Sequence, residues 1–259
     1  MILTNAEKNR IKELHNKKGR REQELFIAEG VALLEESIRF KRKPEKVYFS
    51  QTLLDSRSRN LLDKFRKWKV SVVPLSAQTI GQISGTNTSQ GLLGLFKIHK
   101  FDLQKLYRPK CKILLLDNIS DPGNAGTLIR SSAAFGFDFA VVTNYSVEPY
   151  NPKVVRSSAG AVFAIPIVVI DIDSLIDFKV EHEIPMITAD IRGLKLEKVF
   201  KSFGINRGLI LAVGSEATGI SKRLGQMADL KVRIDHNRKI DSLNAAVAGS
   251  IIMKEVYEL

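Results

Sequence analysis

The sequence predicts an α/β protein built in two parts, and three features predict it. Helical and extended patterns alternate along the chain, as in layered α/β architectures. After residue 111 the extended segments, such as Lys112–Asp117 and Leu209–Val213, are nearly unbroken apolar runs. Runs of that kind are expected of a mostly parallel sheet covered on both faces. The charge is also split: residues 1–110 hold 23 Lys and Arg against 11 Asp and Glu, while residues 111–259 hold 17 against 17. The whole net charge of +12 therefore lies in the first part. The expected division is a domain over 1–98, a charged linker without a clear period over 99–110, and a second domain over 111–259.

In chain order, Asn5 to Lys18 reads as a helix with Ile11 and Leu14 on one side. Lys17-Lys18-Gly19-Arg20-Arg21 follows as a basic loop, suited to phosphates, which position a ligand without reading its sequence. Strands are predicted at Leu25–Ala28, Val47–Phe49, Val70–Val73 and Leu92–Phe96, with helices over Gly30–Phe40 and around Asn60–Trp68. Thr86 to Gly91 reads as a polar loop.

The second part opens with the strand Lys112–Asp117 and the turn residues Asp121-Pro122-Gly123-Asn124, then a helix from about Ala125 to Phe135. Further strands are expected at Phe139–Thr143, Ile165–Ile170, Met186–Thr188, Leu209–Val213 and Lys231–Ile234, with a helix starting near Asn151. Ser242-Leu243-Asn244 opens a last helix, with Ser242 as a candidate cap. In open α/β sheets ligands bind outside the carboxyl ends of the strands. The loops after Val213 and Ile234 are therefore expected to wall one pocket.

Two nucleotide motifs are excluded there. Gly214 to Ser221 nearly spells a P-loop, but Ile220 stands where the phosphate-binding lysine must be, and Glu216 would repel a triphosphate. No G-x-G-x-x-G follows the first strand of a βαβ unit. The remaining peptide groups, a carboxylate and a Ser/Asn pair suit a ligand carrying both charge signs.

Three segments in order closely resemble the motifs of the SpoU/TrmH family of RNA 2′-O-ribose methyltransferases. The first is carried by Asp117, Asp121, Pro122, Asn124, Gly126, Arg130 and Gly136; the second by Gly214, Glu216 and Gly219; the third by Ser242, Leu243 and Asn244. The resemblance spans about Lys112 to Glu255, and Asp241 stands where the family usually has Glu. It implies an α/β-knot (SPOUT) domain whose C-terminal segment makes a deep trefoil knot, behind a small ribosomal-protein-like α/β/α domain that binds RNA. The N-terminal match rests on Gln90-Gly91 before an apolar strand.

The resemblance further implies S-adenosylmethionine as cofactor, RNA as substrate and a homodimer. The catalytic candidates are Asn124, Arg130, Glu216, Ser242 and Asn244. Gly214, Ile234, Ser242 and Leu243 match the cofactor positions, with Thr143 and Asn144 beside a strand end. Lys17, Lys18, Arg20, Arg21 and Arg156 are the RNA-binding candidates. Arginine stays protonated in proteins, so Arg130 suits an electrostatic clamp better than a general base. A Ser242–His236–Asp241 triad lies within one short loop, where the geometry of a relay is disfavoured. Ribosomal RNA is favoured over transfer RNA, and a non-catalytic RNA-binding or ribosome-assembly factor on the same fold is the alternative.

Composition bounds the rest. Cys111 is the single cysteine, so neither an internal disulfide nor a cysteine-based metal site is available. His15, His99, His182 and His236 have no ligand spacing, and no metal is expected. No apolar run is long enough to span a bilayer and no apolar signal segment opens the chain, so a cytoplasmic location is expected.

Overall fold

Helix α1 (Asn5–Glu13) starts in a capping box: the Thr4 hydroxyl accepts from the Glu7 amide and the Glu7 carboxylate accepts from the Thr4 amide. The chain then breaks and resumes as α2 (Lys17–Gln23). Gly19 permits this, because a Cβ there would lie 2.3 Å from the Glu13 carbonyl oxygen. The expected single helix and basic loop are thus two packed helices. Arg20 is 1% exposed and donates from Nη1 to the Leu14 carbonyl at 2.8 Å. The computed structural model, in which this and all that follows is seen, describes residues 3–86, 89–196, 199, 208–215, 218–237 and 239–258.

Next come β1 (Leu25–Glu29), α3 (Val31–Arg39), β2 (Lys46–Ser50), α4 (Ser56–Lys67), β3 (Ser71–Leu75), α5 (Ala77–Ile83) and β4 (Leu92–Lys97). They build a four-stranded sheet of order β1-β4-β2-β3, with β4 antiparallel to both neighbours and β2 parallel to β3. On one face Leu14, Ile27, Tyr48, Ile80 and Leu93 form a core. Within the expected polar loop 86–91, Asn87 and Thr88 lie outside the described residues. Gln90 is structural: its Oε1 accepts from the Val31 amide at the start of α3.

From Lys100 the chain forms α6 (Leu103–Leu106), β5 (Lys112–Leu116), α7 (Pro122–Ala134) and β6 (Phe139–Thr143), then α8 (Pro152–Ser157) and α9 (Ala161–Ala164). It continues as β7 (Ile167–Ile170), α10 (Ile172–Glu181), β8 (Met186–Lys195), β9 (Leu209–Val213), α11 (Lys222–Met227), β10 (Leu230–Arg233) and α12 (Ala245–Tyr257). The second sheet has the order β10-β8-β9-β5-β6-β7, and every pairing in it is parallel. Apolar runs such as Leu209–Val213 are buried throughout, as strands covered on both faces must be.

The chain resolves into two units, Met1–His99 with Tyr150–Ala164, and Lys100–Pro149 with Ile165–Leu259. Two features differ from the division expected from sequence. The stretch 99–110 is not an open linker: Leu103 is buried in the second unit's core, with Phe101, Leu106 and Tyr107 packed against it. Tyr150–Ala164 groups with the first unit because its aromatic rings bury there. Phe26 meets Tyr150 at 4.8 Å between ring centroids, and Phe96 meets Phe163 at 4.7 Å. Among the described residues no helix is long and apolar enough to cross a membrane.

Within the second unit α12 lies against α7 and β9. Gly249 allows the approach, since a Cβ there would sit 2.5 Å from Leu128 Cδ2 and 3.1 Å from Val213 Cγ2. Ser131 and Ser250 share a hydrogen bond of 2.7 Å across this contact.

Arg20→Ala should lower the unfolding free energy by about 1–3 kcal/mol, because the Leu14 carbonyl loses a charged donor inside a packed turn. Lys17→Ala and Lys18→Ala, on exposed side chains, should change it by less than about 0.5 kcal/mol. Urea denaturation of the three variants checks this; equal effects would contradict the structural role of Arg20.

Candidate active site

Strand order changes direction at β5: β6 and β7 lie to one side, and β9, β8 and β10 to the other. A cavity of about 680 Å³ opens at the carboxyl ends of the latter three. That volume falls in the range of small-molecule sites, roughly 300–1,000 Å³.

The first wall is the loop after β9. Gly214 must be glycine, because a Cβ there would lie 2.1 Å from the Gly219 carbonyl carbon. Gly219 turns the loop at φ +66°. Ser215 and Gly219 exchange backbone hydrogen bonds, 3.2 Å from the Ser215 amide and 2.9 Å from the Gly219 amide. The Ser215 hydroxyl accepts from the Thr218 amide at 3.1 Å. Glu216, a catalytic candidate, lies outside the described residues.

The second wall was missed by the sequence reading. Strand β8 pairs with β10 at Ile187 and Thr188, leaves the ladder over 189–193, and pairs again at Leu194 and Lys195. Thr188, Ala189, Asp190, Ile191 and Arg192 all line the cavity. Gly193 seats the excursion, because a Cβ there would meet the Lys231 carbonyl carbon at 2.6 Å. The available signal was the polar Asp190-Ile191-Arg192-Gly193 directly after an apolar run. Asp190 is held below the usual carboxylate range, first by the Arg192 amide at 2.9 Å and then by the charges of Arg192 and Lys231, against the effect of burial. A lowered pKa keeps this pairing intact as pH falls through the ordinary carboxylate range; it is lost only as pH drops through the lowered value.

The third wall is the segment from β10 to α12, and Ile234, His236, Ser242, Leu243, Ala245 and Ala248 line it. The His236 ring pins this segment, with Nδ1 3.0 Å from the Ile234 carbonyl and Nε2 3.2 Å from the Ile240 carbonyl. A neutral imidazole carries one N–H, so the tautomer decides which of the two carbonyls it donates to. The helix cap is Asn244 rather than Ser242: its Oδ1 accepts from the Ala246 and Val247 amides at 2.9 and 3.2 Å. Ser242 is left exposed at the cavity wall.

The first motif reaches the third directly. Asp121 caps α7 by accepting from the Asn124 amide at 2.8 Å, with Pro122 in the first turn. Asn124 Oδ1 then accepts from Asn244 Nδ2 at 3.0 Å. Arg130, further along α7, is exposed; it is not among the cavity-lining residues and has no salt bridge among the described residues.

Of the expected cofactor positions, Gly214, Ile234, Ser242 and Leu243 line the cavity, whereas Thr143 and Asn144 do not. Thr143 is 1% exposed, with its hydroxyl donating to Asp117 Oδ1 at 2.9 Å, so it holds the sheet together instead. Asn144 is exposed past the end of β6. Of the RNA-binding candidates, Lys17, Lys18, Arg21 and Arg156 are exposed on the first unit. Arg20 is corrected to a buried structural residue, because its guanidinium is turned inward to the Leu14 carbonyl.

Comparison with known proteins places this geometry. The SpoU rRNA Methylase family profile matches residues 112–254. The chain belongs to this family. The profile of the MRM3-like substrate binding domain matches residues 5–94. The 23S rRNA (guanosine(2553)-2′-O)-methyltransferase RlmP of Bacillus subtilis (strain 168) is 30% identical over 249 residues, covering 96% of this chain and 93% of that one. The AdoMet-bound rRNA methyltransferase from Sinorhizobium meliloti is similar in structure, with a TM-score of 0.86 at 25% identity over 100% of this chain and 96% of that one. The SpoU methyltransferase AviRb from Streptomyces viridochromogenes, in complex with AdoMet, shares the fold with a TM-score of 0.87 at 23% identity, covering 98% of each chain.

The family uses S-adenosylmethionine, and the cavity fits it. Ala189, Ile191, Val213, Val232 and Leu243 offer apolar walls to a flat base, beside peptide groups and charged side chains for the polar ends. Gly214→Ala should weaken S-adenosylmethionine binding at least about tenfold, since the new methyl displaces the backbone at Gly219 and Ile220. Calorimetric titration of the folded variant measures it, and wild-type affinity would show that this loop does not shape the cavity.

Proposed function

We infer that this chain transfers a methyl group from S-adenosylmethionine to a ribose 2′-hydroxyl of RNA, with ribosomal RNA as the substrate. The observation that carries the reading is the convergence of motifs. Gly214 and Gly219 of the second and Ser242 and Leu243 of the third line one cavity, and the first is hydrogen-bonded to the third through Asn124 and Asn244. The relatives named above supply the preference for ribosomal RNA.

Gly214, Ile234, Ser242 and Leu243 would hold the cofactor, whose sulfonium supplies the methyl group. Alignment of the donor with the acceptor hydroxyl is the main task of the protein, and such positioning accounts for up to roughly 7–11 kcal/mol of a barrier. Asn124 and Asn244 orient the ribose. Glu216, from the second motif, takes the role of an orienting carboxylate. Arg130 stays protonated and stabilises negative charge developing on the ribose oxygen. The exposed Lys17, Lys18, Arg21 and Arg156 of the first unit bind RNA phosphates.

The working form is a homodimer in the cytoplasm. Arg130 does not line the cavity of its own chain, and its side chain on α7 is exposed, open to a second copy. Val247, 47% exposed, and the half-buried Ile251 also leave an apolar stripe on α12. In the dimer, Arg130 of one protomer serves the cavity of its partner.

Three measurements test these readings. Arg130→Ala should reduce single-turnover methylation by about 10²–10³-fold while RNA affinity changes little. Mixed dimers of Arg130→Ala with Gly214→Ala chains should recover about half of the wild-type activity per dimer, because one of their two sites then carries neither defect. Loss of all activity in the mixture would place Arg130 and the cavity of one chain in the same site. Replacing Lys17, Lys18 and Arg21 with Ala should flatten the dependence of RNA affinity on salt, by about 0.7–0.9 in log–log slope for each phosphate no longer neutralised. An unchanged slope would make this surface merely solvated. Failure of the folded protein to bind S-adenosylmethionine even with RNA present would favour the non-catalytic RNA-binding alternative.

A further inference from the structure

Asp117 is fully buried, at the carboxyl end of β5. Its backbone amide donates to the Val213 carbonyl at 3.0 Å, the last residue before the cavity loop. Its carboxyl Oδ2 accepts from the Ser221 amide at 2.6 Å, where the same loop ends and α11 begins. The other oxygen, Oδ1, accepts from the Thr143 hydroxyl on β6 at 2.9 Å. One residue of the central strand therefore fastens both ends of the stretch from Gly214 to Ile220. Within the loop Gly219 is tied back to Ser215, and Asp117 ties the end at Ser221 to the central strand. Ser221 stands at the N-cap of α11 but makes no side-chain cap bond, and its Oγ is buried without a partner among the described residues. The Ser221 amide precedes the helical ladder and has no acceptor within α11, so the Asp117 carboxylate is what fixes it.

We propose that Asp117 is a positioning residue for the cofactor: by holding Val213 and Ser221 it sets where Gly214, Gly219 and Ile220 stand in the wall against which S-adenosylmethionine binds, without touching the cofactor. The inference rests on reading the cavity as the S-adenosylmethionine site. What Asp117 supplies is hydrogen-bond geometry. An asparagine of the same shape restores it, with its oxygen accepting from the Ser221 amide and its amide group donating to the Thr143 hydroxyl, which accepts as well as donates. An alanine restores nothing.

The test uses the full-length protein with S-adenosylmethionine alone, then with substrate RNA. Asp117→Ala should raise the cofactor Kd and KM at least about tenfold, with kcat at saturating cofactor and RNA affinity within about threefold of wild type. Asp117→Asn should stay within about threefold in every constant. Thr143→Val, which removes one of the two side-chain bonds, should fall between them and serves if Asp117→Ala does not fold. Hydrogen exchange without cofactor gives an independent reading: protection of the Ser221 amide should fall in Asp117→Ala and Thr143→Val but persist in Asp117→Asn. The proposal is overturned if folded Asp117→Ala binds the cofactor as wild type does, if Asp117→Asn is as weak as Asp117→Ala, or if Thr143→Val leaves both affinity and exchange unchanged. Absence of cofactor binding by the wild-type protein would instead overturn the reading of the cavity, and the exchange experiment would still decide the role of Asp117.

Discussion

Parallel pairing of β5 with β6 on one side and β9 on the other is the constraint on which the second unit depends. Parallel strands share a direction, so all their carboxyl ends open on one edge of the sheet. Each return to that direction needs a crossover on one of the faces. The runs Lys112–Leu116, Phe139–Thr143 and Leu209–Val213 are buried on both sides for this reason. Polar chemistry is confined to the loops beyond those ends. Asp117, Gly214 and Ile234 each stand one residue past a strand, where apolar sequence stops and backbone groups become free to bind something other than a neighbouring strand.

That confinement explains what the sequence makes legible. The strands are readable because unbroken apolar runs admit few other structures. The start of α7 is readable because Asp121-Pro122 is both turn and cap chemistry, although the helix begins three residues earlier than its apolar pattern suggests. Gly214 stands out as a glycine ending such a run, and the structure gives its reason in the backbone of Gly219. The recognisable motifs add Asn124 and Asn244, whose mutual hydrogen bond no local pattern predicts.

The illegible parts depend on packing between residues distant in sequence. Nothing near Arg20 marks it as buried among other basic or exposed neighbours; its fate follows from Gly19 closing on Glu13. Thr143 reads as a polar residue at a strand end, fit for a ligand, until Asp117 claims its hydroxyl. Tyr150 and Phe163 reach the first unit through ring packing with Phe26 and Phe96, and sequence position alone places them elsewhere. Ser242 and Asn244 both suit a cap, and only the backbone geometry at Asn244 selects between them.

The excursion of β8 over 189–193 has a consequence for how such a site can diversify. Its ends are fixed by ladder pairing at Thr188 and Leu194, and its seating is fixed by the missing side chain at Gly193. Between those anchors Ala189, Asp190, Ile191 and Arg192 line the cavity without contributing to strand register. The wall is therefore modular. Its chemistry can be rewritten at Ala189 and Ile191, changing what the cavity accepts, while Asp190 keeps the excursion bound to the Arg192 amide and to Lys231 of β10.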